Sequence, residues 1–185
     1  MGAVHSAVWK GQPVAAKTLH DTSANQSTPT LPRQLAATEQ ELLMHASLRH
    51  PCIVQLIGAS LHPPGCCIVM ECCHHSLFDR LHRKRGELER RTTIRIMRQV
   101  CEGMAFMHSR SPPLVHRDLK SQNVLLTSSE DAKLCDFGLV NVKEVTAGTP
   151  NYMAPELFLS KPYSTSVDVY AFGVRSFRDA HPFIL

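Results

Sequence analysis

The sequence predicts an α+β fold, with a sheet and one helix in roughly the first seventy residues and helices after them. Residues 7–19 alternate weakly between apolar and polar side chains, as half-buried strands do. Two short apolar runs, residues 53–57 and 67–70, flank His62-Pro63-Pro64-Gly65, which is a strong turn signal. After Cys73 the apolar residues recur at helical spacing. The predicted sheet and helices are therefore segregated along the chain.

The first elements are two short strands and a helix. Gly11-Gln12-Pro13 interrupts the alternating segment and predicts a turn between two strands. Residues 20–32 form a polar connector that contains proline. Residues 34–48 carry apolar side chains at helical spacing, and Pro51 ends this helix shortly afterwards. The two apolar runs that follow predict a β-hairpin.

The later elements are helices. Leu77, Phe78 and Leu81 fit a short helix. A long buried helix is predicted where apolar residues recur over about five turns, at Ile94, Met97, Val100, Cys101, Met104 and Met107. Residues 175–185 show no clear period.

Size and composition fit a globular domain. The chain has 185 residues, of which 43% are hydrophobic and 19% charged, and this excludes disordered and collagen-like chains. No stretch reaches the roughly 18 apolar residues that a membrane helix needs. The N-terminus also lacks the basic start and apolar core of a signal peptide. We therefore expect neither a membrane span nor secretion.

The net charge of the chain does not indicate a particular class of binding partner. The net charge is +4, and basic residues cluster at Arg83-Lys84-Arg85 and Arg90-Arg91. Aromatic residues do not interleave with them, which favours a solvated loop over a nucleic-acid interface. No nucleic-acid partner is therefore expected.

The cysteines indicate a reducing environment. There are seven, and Cys66-Cys67 and Cys72-Cys73 are adjacent pairs. Without a signal peptide, this pattern indicates reduced thiols in a cytoplasmic protein. Zinc is an alternative use of these thiols, because His74 and His75 follow the second pair. Adjacent strand residues point to opposite faces, however, and this spacing weighs against zinc.

Four motifs in a fixed order carry the functional argument. They are Val14-Ala15-Ala16-Lys17, His116-Arg117-Asp118-Leu119-Lys120-Ser121-Gln122-Asn123, Asp136-Phe137-Gly138 and Ala154-Pro155-Glu156. Each alone is commonplace, since a strand lysine usually lies at the surface and Asp-Phe-Gly is often a turn. Together, with 18 residues from Asp118 to Asp136 and 20 from Asp136 to Glu156, they resemble the signature set of the protein kinases.

The resemblance implies a bilobal protein-kinase-like fold, truncated at both ends. Residues 1–73 would form the small lobe, an antiparallel sheet plus one helix. Residues 74–174 would form a mainly helical, incomplete large lobe, and residues 175–185 an atypical tail. Residues 76–82 and 148–153 are most similar to the tyrosine-kinase-like group, the Raf and mixed-lineage relatives. Lys120, together with Gly148-Thr149-Pro150, implies a serine/threonine kinase.

The same resemblance implies transfer of phosphate from ATP to protein substrates, with Mg²⁺ as cofactor. Asp118 would orient the attacking hydroxyl, and Lys120 would lie near the transferred phosphate. Asn123 and Asp136 would ligate Mg²⁺ through oxygen atoms, which this ion prefers. Lys17 would bind the α- and β-phosphates.

The remaining nucleotide contacts follow from position. A helix glutamate would hold Lys17 by an ion pair, and it is Glu41 or, alternatively, Glu39. Met70, just before Glu71, resembles the gatekeeper, and Cys73 resembles the hinge residue at the adenine edge. The expected apolar contacts of the adenine ring are Val8, Ala15 and Leu125.

A stack of side chains is expected to link the two lobes. The resemblance assigns Leu56, Phe137, His116 and Asp168 to it. Its helix member falls at His45, where an apolar residue is expected. A neutral, hydrogen-bonded histidine could fill this position.

Two modification sites are expectations of lower specificity. Thr146 is a candidate for an upstream activating kinase, because Arg117 offers a cation with which its phosphate could pair. The sequence Met1-Gly2-Ala3-Val4-His5-Ser6 fits the pattern for myristoylation of Gly2. Chance is the alternative explanation of this short match.

Both ends depart from the kinase pattern. The phosphate-loop glycines would fall at Met1, Ala3 and Ser6, and the preceding strand is missing. Near the other end, Glu156 lacks its usual arginine partner, and Pro182 stops the last helix. Three interpretations are therefore open. The chain is an active kinase, or it is a truncated, non-catalytic kinase-like module that binds nucleotide weakly or acts through partner binding. The third is a chain that barely folds.

Overall fold

The computed structural model of the chain describes residues 3–18, 39, 42–60, 67–83, 88–137 and 152–180. The chain forms two compact units. The first unit comprises Met1–Arg49 and Val54–Cys72, and the second comprises His50–Ile53 and Cys73–Leu185. Within the described ranges, no helix is both long and apolar enough to cross a membrane.

The first unit contains a four-stranded antiparallel sheet. Its strands are β1 (Val4–Trp9), β2 (Gln12–Thr18), β3 (Leu56–Ser60) and β4 (Cys67–Glu71), in the order β1-β2-β4-β3. The helix α1 (residues 42–47) accompanies the sheet, and it buries Leu42 and His45. The predicted small-lobe composition, antiparallel sheet with a helix, is present.

The first hairpin turns one residue earlier than the sequence predicted. Trp9 pairs with Gln12, so the loop consists of Lys10 and Gly11 alone. Both have positive φ, 48° and 79°, as the type I′ turn of a two-residue hairpin requires. The predicted turn at Gly11-Gln12-Pro13 is therefore wrong, because Gln12 already belongs to β2.

The second hairpin is also shifted along the sequence. β3 begins at Leu56, whereas the apolar run predicted a strand from Ile53. Ile53 instead forms an isolated parallel bridge with Leu134 in the second unit, to which it belongs. The apolar character of Ile53 thus reflects burial beside Leu134 and not membership of the hairpin.

The second unit is mainly helical. Its helices are α2 (Leu77–His82), α3 (Arg90–His108), α4 (Pro155–Phe158) and α5 (Ser166–Ala180), with a 3₁₀ turn at Ser121–Asn123. Three short strands, β5 (His75–Ser76), β6 (Val124–Leu126) and β7 (Ala132–Leu134), pair in that order as an antiparallel sheet. The backbone of α5 runs six residues past Val174, into the segment that lacks a sequence period.

The long helix α3 buries most of the predicted face, but not all of it. Its buried residues are Ile96, Val100, Gly103, Met104 and Met107. Ile94 is 55% exposed and Cys101 is also exposed, so their assignment to the core was wrong. These two residues are seven positions apart, so they share one face of the helix. That face is opposite to Gly103, at which α3 lies against Leu134 of β7.

Gly103 sets the distance between α3 and β7. A Cβ placed there would lie 2.8 Å from Leu134 Cδ1 and 3.0 Å from the Cys52 carbonyl oxygen. We expect Gly103→Ala to lower the free energy of unfolding by about 1–3 kcal/mol, since a backbone atom must move. Gly173→Ala in α5 is the matched control, because nothing lies within 4 Å of its added Cβ. It should stabilise by up to about 1 kcal/mol through helix propensity, measured for both variants by urea unfolding.

A cluster of buried apolar side chains joins α4 to α5. Ala154, Leu157 and Val167 form its buried centre, and Val115, Met153 and Tyr163 pack against them. Ala154 precedes α4, where Pro155 occupies a first-turn position that needs no backbone donor. This cluster ties the segment before α5 to the chain that leads into His116.

Candidate active site

The second unit places Asp118 and Lys120 on a loop, residues 116–120, which we call the catalytic loop after the role that the resemblance implies for it. Arg117 and Asp136 both have positive φ, 67° and 64°. Left-handed backbone at a residue other than glycine costs about 1–3 kcal/mol and persists only where the surroundings hold it. The hydrogen bonds around both residues show what holds them.

The Asp168 carboxylate, at the start of α5, anchors the catalytic loop. Its Oδ2 accepts a hydrogen bond from the His116 backbone N–H at 2.9 Å, and its Oδ1 accepts from the Arg117 N–H at 2.8 Å. His108 at the end of α3 approaches the same Oδ2 through Nε2 at 2.8 Å. Because Asp168 is only 2% exposed, these contacts replace its hydration and fix the loop backbone.

The buried His116 imidazole links the catalytic loop to the Asp-Phe-Gly segment. Its Nδ1 accepts from the Asp118 N–H at 3.3 Å, which leaves the proton on Nε2 to be donated to the Cys135 carbonyl at 3.1 Å. Its ring centroid lies 5.6 Å from that of Phe137. Phe137, His116 and Asp168, three members of the expected stack, are therefore brought together.

Asp118 has two polar neighbours, one from the catalytic loop and one from the 3₁₀ turn that follows it. Lys120 Nζ lies 2.7 Å from Asp118 Oδ2. Asn123 Nδ2 donates to Asp118 Oδ2 at 2.9 Å and to the Asp118 backbone carbonyl at 2.8 Å. The carboxylate is therefore fixed in direction, and its side chain is 12% exposed.

Asp136 follows a backbone contact with Asn123. The Cys135 N–H donates a hydrogen bond to the Asn123 backbone carbonyl at 3.0 Å. Asp136, which follows Cys135, therefore lies close to Asn123 in the chain fold. Asp136 itself is exposed. Asn123 uses its amide nitrogen for Asp118, and its side-chain acceptor is the amide oxygen Oδ1. An amide oxygen and an exposed carboxylate are the donor types that suit Mg²⁺, which usually takes one or two carboxylates and substrate phosphates.

Within the first unit, the strand register groups four of the predicted nucleotide contacts. Ala15 pairs with Met70, and Val8 pairs with Pro13. Directly paired residues and alternate residues along a strand share a face. Val8, Ala15, Met70 and Lys17 therefore lie on one face of this sheet.

The remaining predicted contacts lie near the ends of strands. Glu71 accepts the Gln55 N–H through Oε2 at 3.2 Å, so its carboxylate is used inside the first unit. In the second unit, Cys73 precedes His74, whose N–H donates to the Leu126 carbonyl at 2.9 Å. Leu125, half-buried, is the preceding residue of β6.

Several predicted residues lie outside the described ranges. They are Glu41, Gly2 and Thr146. Glu39, the alternative partner of Lys17, is helical and exposed. Among the residues that the structure describes, no group of three His, Cys, Asp or Glu side chains is placed to hold a metal ion.

His45 occupies its helix position as a buried polar residue. It is 7% exposed, and its Nε2 lies 2.8 Å from the Val54 carbonyl oxygen. Burial lowers the pKa of His45 below its usual 6.5; the nearby Lys17 lowers it further, while the bond to Val54 opposes the shift. The side chain is therefore neutral at pH 7, as the sequence suggested.

This lowered pKa predicts an acid-side loss of stability. Below about pH 6.5 the unfolded chain binds a proton at His45 that the folded chain does not, so the free energy of unfolding falls until the pH reaches the folded pKa. The slope is at most about 1.4 kcal/mol per pH unit. We expect His45→Leu to be less sensitive to acid than the wild type in urea unfolding at a series of pH values. An unchanged slope would contradict a buried neutral His45.

Two residues of this site were missed in the sequence. His108 contacts Asp168, and Tyr163 lies against Arg117, with the guanidinium carbon 5.0 Å from the ring centroid. The sequence offered only weak signals, a histidine in the last turn of a predicted helix and a tyrosine between two motifs. Both contacts depend on packing between distant segments.

Comparison with known proteins identifies the family. The sequence model of the family described as "Protein kinase domain" matches residues 1–178. The chain belongs to the protein kinase family. The expected α+β protein-kinase fold, with an antiparallel sheet in one part and mainly helices in the other, is thereby confirmed.

Curated relatives of this kinase are named as serine/threonine kinases. Serine/threonine-protein kinase CTR1 of Arabidopsis thaliana is 40% identical over 94% of the chain. The probable serine/threonine-protein kinases SIS8 of Arabidopsis thaliana and drkA of Dictyostelium discoideum are 36% and 33% identical over the same share. The matches cover 22%, 17% and 27% of these relatives, so the chain spans about a quarter or less of their length.

Proposed function

We propose that this chain transfers the γ-phosphate of ATP to serine or threonine hydroxyls of protein substrates. The observation that carries the proposal is the pair of contacts at Asp118, with Lys120 Nζ and Asn123 Nδ2 both within 3 Å of Oδ2. Phosphoryl transfer needs an oriented acceptor for the hydroxyl proton and cations near the phosphate. One short loop supplies both.

Asp118 is proposed to orient the attacking hydroxyl and accept its proton. Its direction is fixed by Asn123, so the carboxylate does not have to be ordered when substrate binds. Lys120 would contact the transferred phosphate. A lysine at this position goes with serine/threonine specificity in kinases that this chain resembles.

Mg²⁺ would be held by the Asn123 amide oxygen and the Asp136 carboxylate. When bound, this ion neutralises phosphate charge and aligns the transferred group. The chain's own part is to aim the ligands. Asn123 is oriented by its bonds to Asp118, and Asp136 by the backbone bond between Cys135 and Asn123.

The residues proposed to bind ATP are those that the resemblance assigned to it. In the first unit, Lys17 would bind the α- and β-phosphates, with Glu41 as its ion-pair partner. The proposed adenine contacts are Val8, Ala15, Met70, Glu71, Cys73 and Leu125. The shared face of Val8, Ala15, Met70 and Lys17 supports this assignment.

The proposed partners are protein substrates and an upstream kinase. Phosphorylation of Thr146 by that kinase would provide an anion for the Arg117 guanidinium. Thr146→Ala should then reduce the activity of chain taken from cells. Equal activity of the variant and the wild type would contradict this regulation.

Two measurements on the purified chain test the proposed activity. Mg-ATP should raise the melting temperature, since a ligand that binds only the folded state stabilises it. Radiolabelled phosphate from the γ-position should then appear in a general acceptor protein such as casein. A thermal shift without phosphate transfer would favour the non-catalytic module. Neither a shift nor transfer would contradict nucleotide binding as well.

A further inference from the structure

We propose that Tyr163 is a positioning residue for the catalytic loop, because its aromatic ring fixes the Arg117 side chain next to Asp118. The inference rests on the proposed phosphotransfer function, which gives Asp118 its role. It adds a residue that lies 45 positions beyond Asp118 in the sequence (163 − 118) and belongs to none of the four motifs.

Arg117 is constrained at its backbone and its side chain. Its φ is 67°, and its N–H donates to Asp168 Oδ1 at 2.8 Å. The residue is only 4% exposed, and its guanidinium carbon lies 5.0 Å from the centre of the Tyr163 ring. At this distance the negative face of the ring attracts the cation, and burial strengthens the attraction.

Tyr163 can act as a fixed support because its own position is set by packing. It lies against the buried cluster of Ala154, Leu157 and Val167. Val167 directly precedes Asp168, the carboxylate that holds the Arg117 backbone. The ring and the carboxylate therefore hold the same arginine from neighbouring parts of one segment.

Movement of Arg117 would be transmitted to Asp118. The two residues share a peptide bond, and the Asp118 N–H is bonded to His116 Nδ1 at the long distance of 3.3 Å. If Arg117 left its left-handed conformation, the Asp118 carboxylate would turn away from Lys120 and Asn123. Loss of the ring should therefore affect the chemical step more than nucleotide binding.

Two substitutions separate this role from packing. Phenylalanine keeps the ring face, whereas leucine keeps apolar volume and removes the π system. We expect Tyr163→Leu to lower kcat about fivefold with KM for ATP within about twofold of the wild type. Tyr163→Phe should stay within about twofold of the wild type in both parameters. Equal kcat in all three proteins, or equal losses in the two variants, would overturn the proposal.

A readout without turnover keeps this test separate from that of the proposed function. In NMR spectra, Tyr163→Leu should move the Arg117 side-chain resonances and the Asp118 amide resonance, and Tyr163→Phe should keep both near their wild-type positions. An unmoved Asp118 amide in Tyr163→Leu would overturn the positioning role. A wild-type chain that transfers no phosphate would contradict the proposed function alone, and the NMR comparison would still decide the role of Tyr163.

Discussion

Asp168→Ala is expected to lower the free energy of unfolding by about 3–5 kcal/mol. The change removes the buried carboxylate that accepts hydrogen bonds from the His116 and Arg117 backbone N–H groups. His108 loses the same partner. A domain of this size has about 5–15 kcal/mol in total, so a large part of the stability would be lost. Urea unfolding followed by circular dichroism measures the change.

Asp131→Asn is the matched control for this carboxylate. Asp131 is also hydrogen-bonded, but its side chain is 40% exposed, and an amide oxygen can still accept from Gln99. The expected loss is below about 1 kcal/mol. Asp168→Asn, which keeps the volume, gives a measurable intermediate if the alanine variant does not fold. A loss below about 1 kcal/mol in both Asp168 variants would contradict its anchoring role.

Asp118→Asn is expected to reduce kcat for phosphate transfer by about 10²–10⁴-fold. The amide has nearly the same shape but cannot accept a proton from the substrate hydroxyl, and the ion pair with Lys120 at 2.7 Å is lost. The Mg-ATP thermal shift should remain, because Asp118 is not among the proposed metal ligands. Initial rates at saturating Mg-ATP measure the effect.

Asp79→Asn provides the activity control. Asp79 is a carboxylate of α2 that accepts a hydrogen bond from Ser76 and pairs with Arg83 at 3.2 Å, and it belongs to none of the four motifs. Its kcat should stay close to that of the wild type. A similar loss in both variants would show that the effect of Asp118→Asn is not specific to the proposed acceptor.

Local patterns predicted the elements better than their boundaries. The strands β1 to β4 were predicted from weak alternation and short apolar runs, and the helices α2 and α3 from helical spacing of apolar residues. The short strands β5, β6 and β7 were not predicted. The hairpin turn moved because Lys10 adopts positive φ, which sequence patterns do not require of a lysine. The edges of the buried face of α3 were misjudged at Ile94 and Cys101, because the contact with Leu134 at Gly103 depends on a partner that the helix's own sequence does not reveal.

The motif residues of the site were found for a different reason. Asp118, Lys120 and Asn123 lie within six residues, so local backbone geometry is enough to bring them together. The residues that support them are distant in sequence: His116 and Asp168 are 52 positions apart, and His108 and Asp168 are 60 apart. Such contacts form only when α3 and α5 pack, and no short motif encodes that packing.

The most direct test of the central claim compares phosphate transfer to two peptides that differ only in the acceptor residue. With radiolabelled Mg-ATP, the wild-type chain is expected to label the serine peptide and leave the tyrosine peptide unlabelled. Asp118→Asn should label neither above about 1% of the wild-type rate. Labelling of the tyrosine peptide would contradict the proposed specificity. Equal labelling of the serine peptide by both proteins would contradict the assignment of Asp118 and, with it, the proposed active site.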